Sequence, residues 1–330
     1  MTPIDPNNIQ DGIFFGLDED VYHALPHLGS GDIKTLYASP PDYWYSSHMN
    51  PLRVAETQSY AQFYGHALHH CILYGEASFD KNYVGLSGET GDSVSAEALK
   101  TWIRDQGGAP AKLKEDNLRM VREVFKTNLL TEQTYDAIRV AAAMITKNPN
   151  LAAAFVGGWP EVSILWHQDD VPCKARIDYL KTRAIVDLKS FRGKDRIQTL
   201  DKMVLQDLFN YRYDIQVGHY QNSRAAARGF FKEGKVFFNE AEDHPTMDAL
   251  KPFFAQEEVG WVFVFFKADG MPVAKSYQIP FGSPAHASGR YAVNTALASY
   301  RDNLEKFGTD AWVNTDEPFQ IAEEDLPRWL

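Results

Sequence analysis

Apolar residues recur every three or four positions over much of the first 150 residues, and this spacing predicts helices. The clearest stretch is ETQSYAQFYGHALHHCILYG, residues 56–75, where Gly75 is placed to end the helix. A second clear helix is predicted over 131–148, with Thr131 as its N-cap. Shorter helices are predicted over 29–40, 96–106 and 113–128, after an irregular lead-in over residues 1–28. The first half of the chain is therefore predicted to be mainly helical.

The apolar period changes to two near residue 160, which predicts strands. Three successive strands joined by short turns are predicted over 161–168, 172–180 and 183–191. A helix, a hairpin and a last helix follow, over 205–231, 257–279 and 284–306. This order predicts one α/β (α+β) domain, in which helices flank a mixed central β-sheet that contains a meander.

The composition is that of a globular protein with few cysteines. The 330 residues are 44% hydrophobic and carry a formal net charge of −11, so bulk charge does not indicate a nucleic-acid-binding protein. With only Cys71 and Cys173, the chain has no four-cysteine zinc or iron–sulfur site and no disulfide framework. The N-terminus lacks the pattern of a secretory signal, and no apolar run is long enough for a membrane span. We therefore expect a cytoplasmic protein without a membrane partner.

Charge is distributed unevenly along the chain. Residues 174–212 carry ten Lys and Arg against five Asp and Glu, a net of +5. Residues 310–330 carry six Asp and Glu against one Arg, a net of −5. A basic middle segment can bind an anionic polymer despite the negative total, provided that the acidic tail lies away from the binding surface.

Four charged residues fall inside the second and third predicted strands: Arg176, Asp178, Asp187 and Lys189. If the turn between these strands centres on residues 182 and 183, the numbers of opposed residues sum to 365. Asp178 then faces Asp187, and Arg176 faces Lys189. Because side chains alternate between the faces of a strand, all four would lie on one face.

Such a face needs counter-ions or solvent. Facing carboxylates repel each other, and a divalent cation between them removes the repulsion. Oxygen ligands without thiols favour Mg²⁺ or Mn²⁺ over zinc. The facing cations call for an anion, and a metal with an anion predicts a phosphodiester site. A solvated hairpin surface with cross-strand Asp–Lys pairs explains the same spacing equally well.

Six short motifs follow one another along the chain. They are VYHALPHLGSGDIKTLYASPPDYW, FYGHALHHCILYGEASFDKNYV, PEVSILWH, CKARIDYL, AIVDLKS and YDIQVGHYQ. Together they resemble the PD-(D/E)xK nuclease superfamily, and within it the RecE-like (exonuclease VIII) group of phage and prophage exonucleases. The resemblance runs over most of the chain and implies a restriction-endonuclease-like core. We expect an N-terminal segment over 1–55, a single nuclease domain over 56–309 and an acidic tail over 310–330.

The resemblance implies a metal site built from His69, Asp178, Asp187 and the carbonyl of Leu188. This site would bind one or two Mg²⁺ ions, with Mn²⁺ as a substitute. His69 stands four residues after Gly65, as in the family's Gly-x-x-x-His helix. His66 and His70 remain open as alternatives, and a lone histidine on a helix is more often part of the core.

The same resemblance assigns roles to further residues. Lys189 would position or help to deprotonate the attacking water and offset charge in the transition state. Glu161 would support the metal or its water, although a strand-edge charge explains it as well. Gln216 and Tyr220, four apart on one helix face, would orient Lys189 or contact the DNA backbone, unless they are ordinary helix surface. Phosphate contacts are expected from Arg176, Arg192, Lys194, Arg196 and Arg212.

The implied activity is that of a Mg²⁺-dependent deoxyribonuclease, most like a 5′–3′ exonuclease that digests double-stranded DNA and leaves 5′-phosphates. The implied partners are double-stranded DNA ends, a single-strand annealing protein and further copies of the chain, in the cytoplasm of a bacterial host. Two alternatives remain: a non-catalytic DNA-end-binding or assembly relative, and an endonuclease or single-strand-specific nuclease. The complete His, Asp and Asp-x-Lys set argues against the non-catalytic relative.

Overall fold

An eight-stranded mixed β-sheet forms the centre of the protein. The computed structural model describes residues 1–54, 60–90, 93–107, 121, 125, 127–191, 198–268 and 273–314. Its strands are β1 (Thr2–Pro3), β2 (Gly12–Phe15), β5 (Trp159–Gln168), β6 (Val171–Leu180), β7 (Ala184–Phe191), β8 (Val236–Phe238), β9 (Gly260–Lys267) and β10 (Ala274–Ile279). They lie in the order β1-β8-β2-β5-β6-β7-β9-β10. A separate parallel pair joins β3 (Tyr83–Leu86) to β4 (Asn128–Thr131).

Helices pack on both sides of this sheet. They are α1 (Glu19–Ala24), α2 (Ser30–Ala38), α3 (Pro40–Ser46), α4 (Tyr60–Tyr74), α5 (Glu76–Asn82), α6 (Ala96–Asp105), α7 (Glu132–Lys147), α8 (Pro149–Ala152), α9 (Leu200–Asn210), α10 (Tyr213–Glu233), α11 (Met247–Ala255) and α12 (Pro284–Phe307), with a 3₁₀ turn at Ala153–Phe155. The predicted N-cap of α7 is confirmed, since the Thr131 hydroxyl accepts the Thr134 backbone N–H at 3.1 Å. Among the described residues, no helix has the length and apolar character needed to cross a bilayer.

The predicted meander is confirmed. β5, β6 and β7 pair antiparallel in sequence order, and β7 then pairs in parallel with β9. On β7 and β9, alternate residues belong to different clusters. Ile185 and Phe263 join the larger core under α10 and α12, whereas Val186 and Val264 join a second core under α4 and α7. The mixed sheet flanked by helices agrees with the predicted fold class.

The prediction of an irregular lead-in is wrong for two segments. Residues 12–15 form β2, which lies inside the sheet between β8 and β5, and all four of its residues are buried. Residues 19–24 form α1, which is capped by the Asp18 side chain. A four-residue apolar run is too short to show a period of its own, so only the pairing with distant strands identifies β2. The N-terminal segment is therefore part of the central sheet.

The predicted helix over 205–231 is in fact two helices. α9 ends at Asn210, and Arg212 adopts a left-handed backbone with φ of 49° before α10 begins. The Arg212 guanidinium makes two hydrogen bonds of 2.9 Å to the Asp214 carboxylate, which hold this turn. No Gly or Pro marks the break, which is why the apolar pattern reads as continuous. The predicted helix over 113–128 lies mostly outside the described residues, as do 315–330 of the acidic tail.

Two glycines let α10 and α12 approach closely. A Cβ on Gly289 would lie 1.8 Å from the Asp214 carbonyl oxygen, and a Cβ on Gly218 would lie 2.6 Å from the Gly289 carbonyl carbon. Backbone atoms cannot move aside as a flexible side chain can, so neither position accepts a larger residue without separating the helices.

Gly289→Ala should lower the free energy of unfolding by roughly 2–3 kcal/mol, because it forces α10 and α12 apart. Gly229→Ala is the matched control. This glycine lies in α10, and a Cβ there would meet no atom within 4 Å, so alanine should stabilise the helix by about 0.5–1 kcal/mol. Urea unfolding followed by circular dichroism measures both changes, and equal stability of the two variants would contradict the close helix contact.

Candidate metal and phosphodiester site

Asp178 and Asp187 come from neighbouring strands, but they are not a cross-strand pair. The predicted register is confirmed where the strands pair, since Tyr179 lies opposite Val186 and Leu180 opposite Ile185. The ladder ends there because the Asp178 side chain accepts the Leu188 backbone N–H at 2.8 Å. The Leu188 N–H is therefore not available for the next backbone hydrogen bond between β6 and β7. The predicted facing of the two aspartates is wrong for this reason.

The carboxylate opposite Asp178 belongs to Glu161. On β5 and β6, Pro160 pairs with Tyr179 and Val162 pairs with Ile177, so the register sets Glu161 against Asp178 between these pairs. Glu161 has a φ of 49°, a left-handed conformation that is unfavourable for a side-chain-bearing residue in a strand. The ladder skips Glu161 and Asp178, and their carboxylates belong to the same group of donor atoms. Glu161, and not Asp187, is therefore the acid that the sheet register sets beside Asp178.

His69 is the histidine that reaches the acids. Its Nε2–H donates to the Leu188 carbonyl oxygen at 2.8 Å, and its Nδ1 lies 3.6 Å from Asp178 Oδ2. His66 instead lies 3.4 Å from a Glu19 carboxylate oxygen, and His70 contacts the Ser78 hydroxyl at 3.0 Å. The glycine spacing in the sequence thus selects the residue that the structure places beside Asp178.

Asp187 is held in a fixed orientation by two side chains. The Lys189 ammonium lies 2.9 Å from Oδ1 and 2.7 Å from Oδ2, and Gln216 donates to Oδ1 at 2.6 Å. Oδ2 has the ammonium as an ion-pair neighbour but accepts no hydrogen bond, although it is fully buried. Gln216 therefore orients Asp187, not Lys189. Tyr220, one turn further along α10, is buried with its ring edge-on to Trp261.

Burial and mutual repulsion make these acids hard to ionise. Burial raises the pKa of Glu161 to about 8, and the charge of Asp178 adds to the effect. Burial also raises the pKa of Asp178, and it raises the pKa of Asp187 to about 6 although the Lys189 ammonium opposes it. Burial works to lower the pKa of Lys189, but the two aspartates outweigh it and the net shift is upward. The positive charge of Lys189 is therefore too little to keep all three acids ionised.

The donor atoms fit a divalent cation. One atom each from His69, Glu161 and Asp178 can be chosen so that all three lie within 4.8 Å of one another. Burial lowers the pKa of His69 to about 4, so its ring is neutral at pH 7. Because Nε2 carries the proton given to Leu188, the Nδ1 lone pair faces the Asp178 carboxylate. Two electron-pair donors facing each other are stabilised by a cation between them.

This group of three differs from the predicted ligand set. Asp187 borders this group, but its carboxylate is bound by Lys189 and Gln216. The Leu188 carbonyl also borders it, but it accepts the His69 N–H. Glu161, expected only in support, is one of the three clustered donors. Nitrogen and oxygen donors without thiolate suit several divalent ions, and hard carboxylates favour Mg²⁺ or Mn²⁺.

The residues predicted to contact phosphate differ in their surroundings. Arg176 does not face Lys189. Its guanidinium donates to the Leu17 carbonyl at 2.7 Å and the Ser163 hydroxyl at 3.0 Å, and it lies 4.0 Å from Glu161. Arg212 is paired with Asp214 and lies over the Tyr37 ring at 4.9 Å. Arg192, Lys194 and Arg196 lie outside the described residues.

Lys34 is a site residue that the sequence analysis missed. Its ammonium lies 4.6 Å from the centre of the Tyr213 ring, and the Lys189 ammonium lies 5.5 Å from the same centre. Burial lowers the pKa of Lys34 to about 8, and the neighbouring Lys189 charge adds to the effect. Among the described residues it has no ion-pair or hydrogen-bond partner. Nothing in the sequence separates Lys34 from an ordinary lysine on an amphipathic helix.

An open cleft of about 1380 Å³ borders the group of three donors. Seven Asp and Glu and three Lys and Arg line it, together with six histidines that include His66, His69 and His70. Two of the basic residues are turned to the main chain: Lys174 donates to the Leu25 carbonyl at 2.8 Å and Arg176 to that of Leu17. The cleft is therefore acidic, and an anionic substrate needs cations to enter it. None of residues 310–314 lines this cleft.

The comparison with protein families agrees with this geometry. Residues 95–244 match the family model described as "PDDEXK-like domain of unknown function (DUF3799)". The mixed sheet flanked by helices is consistent with a PDDEXK-like fold. The matched segment contains Glu161, Asp178, Asp187 and Lys189, which β5, β6 and β7 bring together, whereas His69 lies before it.

A solved structure aligns with most of this chain. It is a crystal structure from Eubacterium rectale, named a "Putative exonuclease", with 14% sequence identity to this chain. The alignment covers 87% of this chain and 88% of that chain, with a TM-score of 0.48. No curated protein matches the chain.

Proposed function

We propose that this protein is a divalent-metal-dependent nuclease that hydrolyses phosphodiester bonds in DNA, with Mg²⁺ as the natural cofactor. The observation that carries the proposal is the group formed by His69, Glu161 and Asp178, next to the buried Asp187–Lys189 ion pair. Carboxylates that gather a hard cation beside a lysine are suited to an anionic ester that reacts with water. The PDDEXK-like match supports the same class of activity.

Each residue has a definable task in this reaction. His69 presents a neutral imidazole nitrogen, and Glu161 and Asp178 present carboxylate oxygens, to one face of the site. A divalent cation held there supplies positive charge that acidifies water and polarises the phosphate ester. Gln216 fixes Asp187, and Asp187 in turn holds the Lys189 ammonium at 2.7 Å. This arrangement keeps the ammonium in place before substrate arrives.

Lys189 acts on the reacting phosphate and its water. Because the aspartates raise the pKa of Lys189, it stays protonated at neutral pH. It therefore donates hydrogen bonds to the phosphate oxygens as negative charge builds up there, and it orients the attacking water. The new bond joins the water oxygen to phosphorus, and the bond to the 3′-oxygen breaks. The attacking water gives up a proton to solvent, and the leaving 3′-oxygen takes one up, so the products are a 5′-phosphate and a 3′-hydroxyl.

The proposed polarity, substrate and partners rest on the order of the six sequence motifs. Its resemblance to RecE-like enzymes supports a 5′–3′ exonuclease on double-stranded DNA, acting as a homo-oligomer in phage-type recombination with a single-strand annealing protein. Lys34, which lies close to Lys189 and lacks an anionic partner among the described residues, supports binding of a second phosphate group near the scissile one.

End-labelled linear duplex DNA should be digested in Mg²⁺, whereas a closed circular duplex of the same sequence should persist. Gel electrophoresis of both substrates over time measures this, with EDTA as the metal-free control. Label released first from the 5′ ends supports the proposed polarity. Cutting of closed circles would make the enzyme an endonuclease. Absence of cleavage of any duplex or single-stranded DNA in Mg²⁺ or Mn²⁺ would indicate a non-catalytic DNA-binding protein.

A further inference from the structure

Four large side chains that are exposed to solvent lie on α2, on α9 and in the turn between α9 and α10. We call them the aromatic patch: Tyr37, Leu205, Phe209 and Tyr211. Their exposed fractions are 36%, 45%, 59% and 53%, so large apolar groups face solvent at this place. Single exposed apolar residues are common in soluble proteins, but a group of them marks a contact surface.

The aromatic patch is continuous with the proposed catalytic site. The Tyr211 and Tyr213 ring centres lie 5.9 Å apart, and the Lys189 ammonium lies 5.5 Å from the Tyr213 ring centre. Phe209 is joined to the same turn, where its carbonyl accepts the Arg212 backbone N–H at 3.2 Å. Tyr213 therefore connects Lys189 to the exposed Tyr211 ring, and Phe209 stands two residues before Tyr211.

Two positively charged side chains lie over aromatic rings in this region. The Arg212 guanidinium lies over the Tyr37 ring at 4.9 Å, and the Lys34 ammonium lies over the Tyr213 ring at 4.6 Å. Arg212 is neutralised by Asp214, but Lys34 has no ion-pair partner within the part of the chain that the structure describes. Exposed rings next to an unpaired cation match the alternating bases and phosphates of a single nucleic-acid strand.

We propose that the aromatic patch binds unpaired nucleotides of the DNA strand that passes Lys189, by stacking their bases on Phe209 and Tyr211. This inference rests on the proposed nuclease function and deepens it. Bases in a duplex are already stacked and paired, so only an unpaired strand offers its base faces to these rings. The patch would hold the strand end next to the scissile phosphate while Lys34 contacts its backbone.

The test compares Phe209→Ala/Tyr211→Ala with wild type for binding of a fluorescein-labelled 20-nucleotide oligo-dT and a blunt 20-base-pair duplex, in Ca²⁺, by fluorescence anisotropy. We expect oligo-dT affinity to fall about tenfold or more and duplex affinity to change less than twofold. Tyr291→Ala, which removes a tyrosine that is 69% exposed on α12, is the matched control. Tyr211→Phe should retain binding, because stacking needs the ring and not the hydroxyl.

A second readout detects stacking directly. The fluorescence of 2-aminopurine in the oligonucleotide should change on binding to wild type and not on binding to the double variant. Equal weakening of single-strand and duplex binding, or unchanged binding of both, would overturn the proposal. A change in oligomer mass by light scattering with unchanged DNA affinity would assign the patch to contact between copies of this chain. Wild type that stacks 2-aminopurine but cleaves no DNA would overturn the proposed nuclease and leave the patch assignment standing.

Discussion

Asp187→Asn and Lys189→Ala should each lower the rate of DNA cleavage in Mg²⁺ by about a thousandfold or more. Asp187 holds the Lys189 ammonium at 2.7 Å, and Gln216 fixes Asp187 at 2.6 Å. Lys189→Ala removes the positive charge beside the reacting phosphate, and Asp187→Asn removes the anion that holds this charge in place. Release of label from end-labelled linear duplex measures the rate, and thermal unfolding shows that each variant is folded.

The matched controls for these variants are Asp248→Asn and Lys251→Ala. These residues also form an Asp–Lys ion pair with a 2.7 Å contact, but both side chains are well exposed on α11. Their cleavage rates should stay within about twofold of wild type, because exposed ion pairs contribute little. Cleavage that survives in both the Asp187 and the Lys189 variants would refute the site assignment.

Without metal, wild type should lose about 2 kcal/mol of stability relative to a Glu161→Gln variant as the pH rises from 6.5 to 8. The pKa of Glu161 in the folded protein is raised from 4.5 to about 8 by burial and Asp178. In this pH range the folded state therefore binds a proton at Glu161 that the unfolded state has released. The stability that this proton confers is complete at low pH and is lost as the pH rises through the folded pKa.

Urea unfolding in EDTA at pH 6.5, 7.25 and 8 measures this dependence. Burial lowers the pKa of His69 and of Lys34, so these groups add a pH dependence of opposite sign in this range, and the comparison with Glu161→Gln removes it. The stability of Glu161→Gln relative to wild type should rise from pH 6.5 to 8, whereas that of Glu305→Gln, which alters an exposed glutamate of α12, should not vary with pH. Saturating Mg²⁺ should remove the pH dependence that Glu161 adds to wild type. A difference between wild type and Glu161→Gln that does not vary with pH would contradict the assignment of Glu161 as a buried acid.

The sequence predicted the framework of the site but not its local geometry. The strands that carry Asp178, Asp187 and Lys189 followed from a period of two, and their register is confirmed in the structure. The local geometry around Asp178 could not be predicted, because Glu161 has a left-handed backbone within β5 and the Asp178 side chain takes a ladder hydrogen bond. Propensity rules disfavour both features, so they emerge only from tertiary contacts.

Two further features escaped prediction because distant parts of the chain create them. β2 became recognisable only through its pairing with β5 and β8. Lys34 lies near Lys189 only because α2 packs against α10. A helical pattern shows which face of α2 is buried but not which residue it meets. Sequence patterns thus predict elements well, while contacts between remote elements require the assembled fold.

The acidic cleft has a thermodynamic consequence for an active nuclease. If DNA enters the cleft only together with divalent cations, the binding of each must strengthen the binding of the other by the same factor. The free protein would then hold its cations weakly, and a DNA end would raise their affinity. Between substrates the site would be largely without metal and inactive. Substrate arrival would thus complete the catalyst, and cleavage would be limited to the time that DNA occupies the cleft.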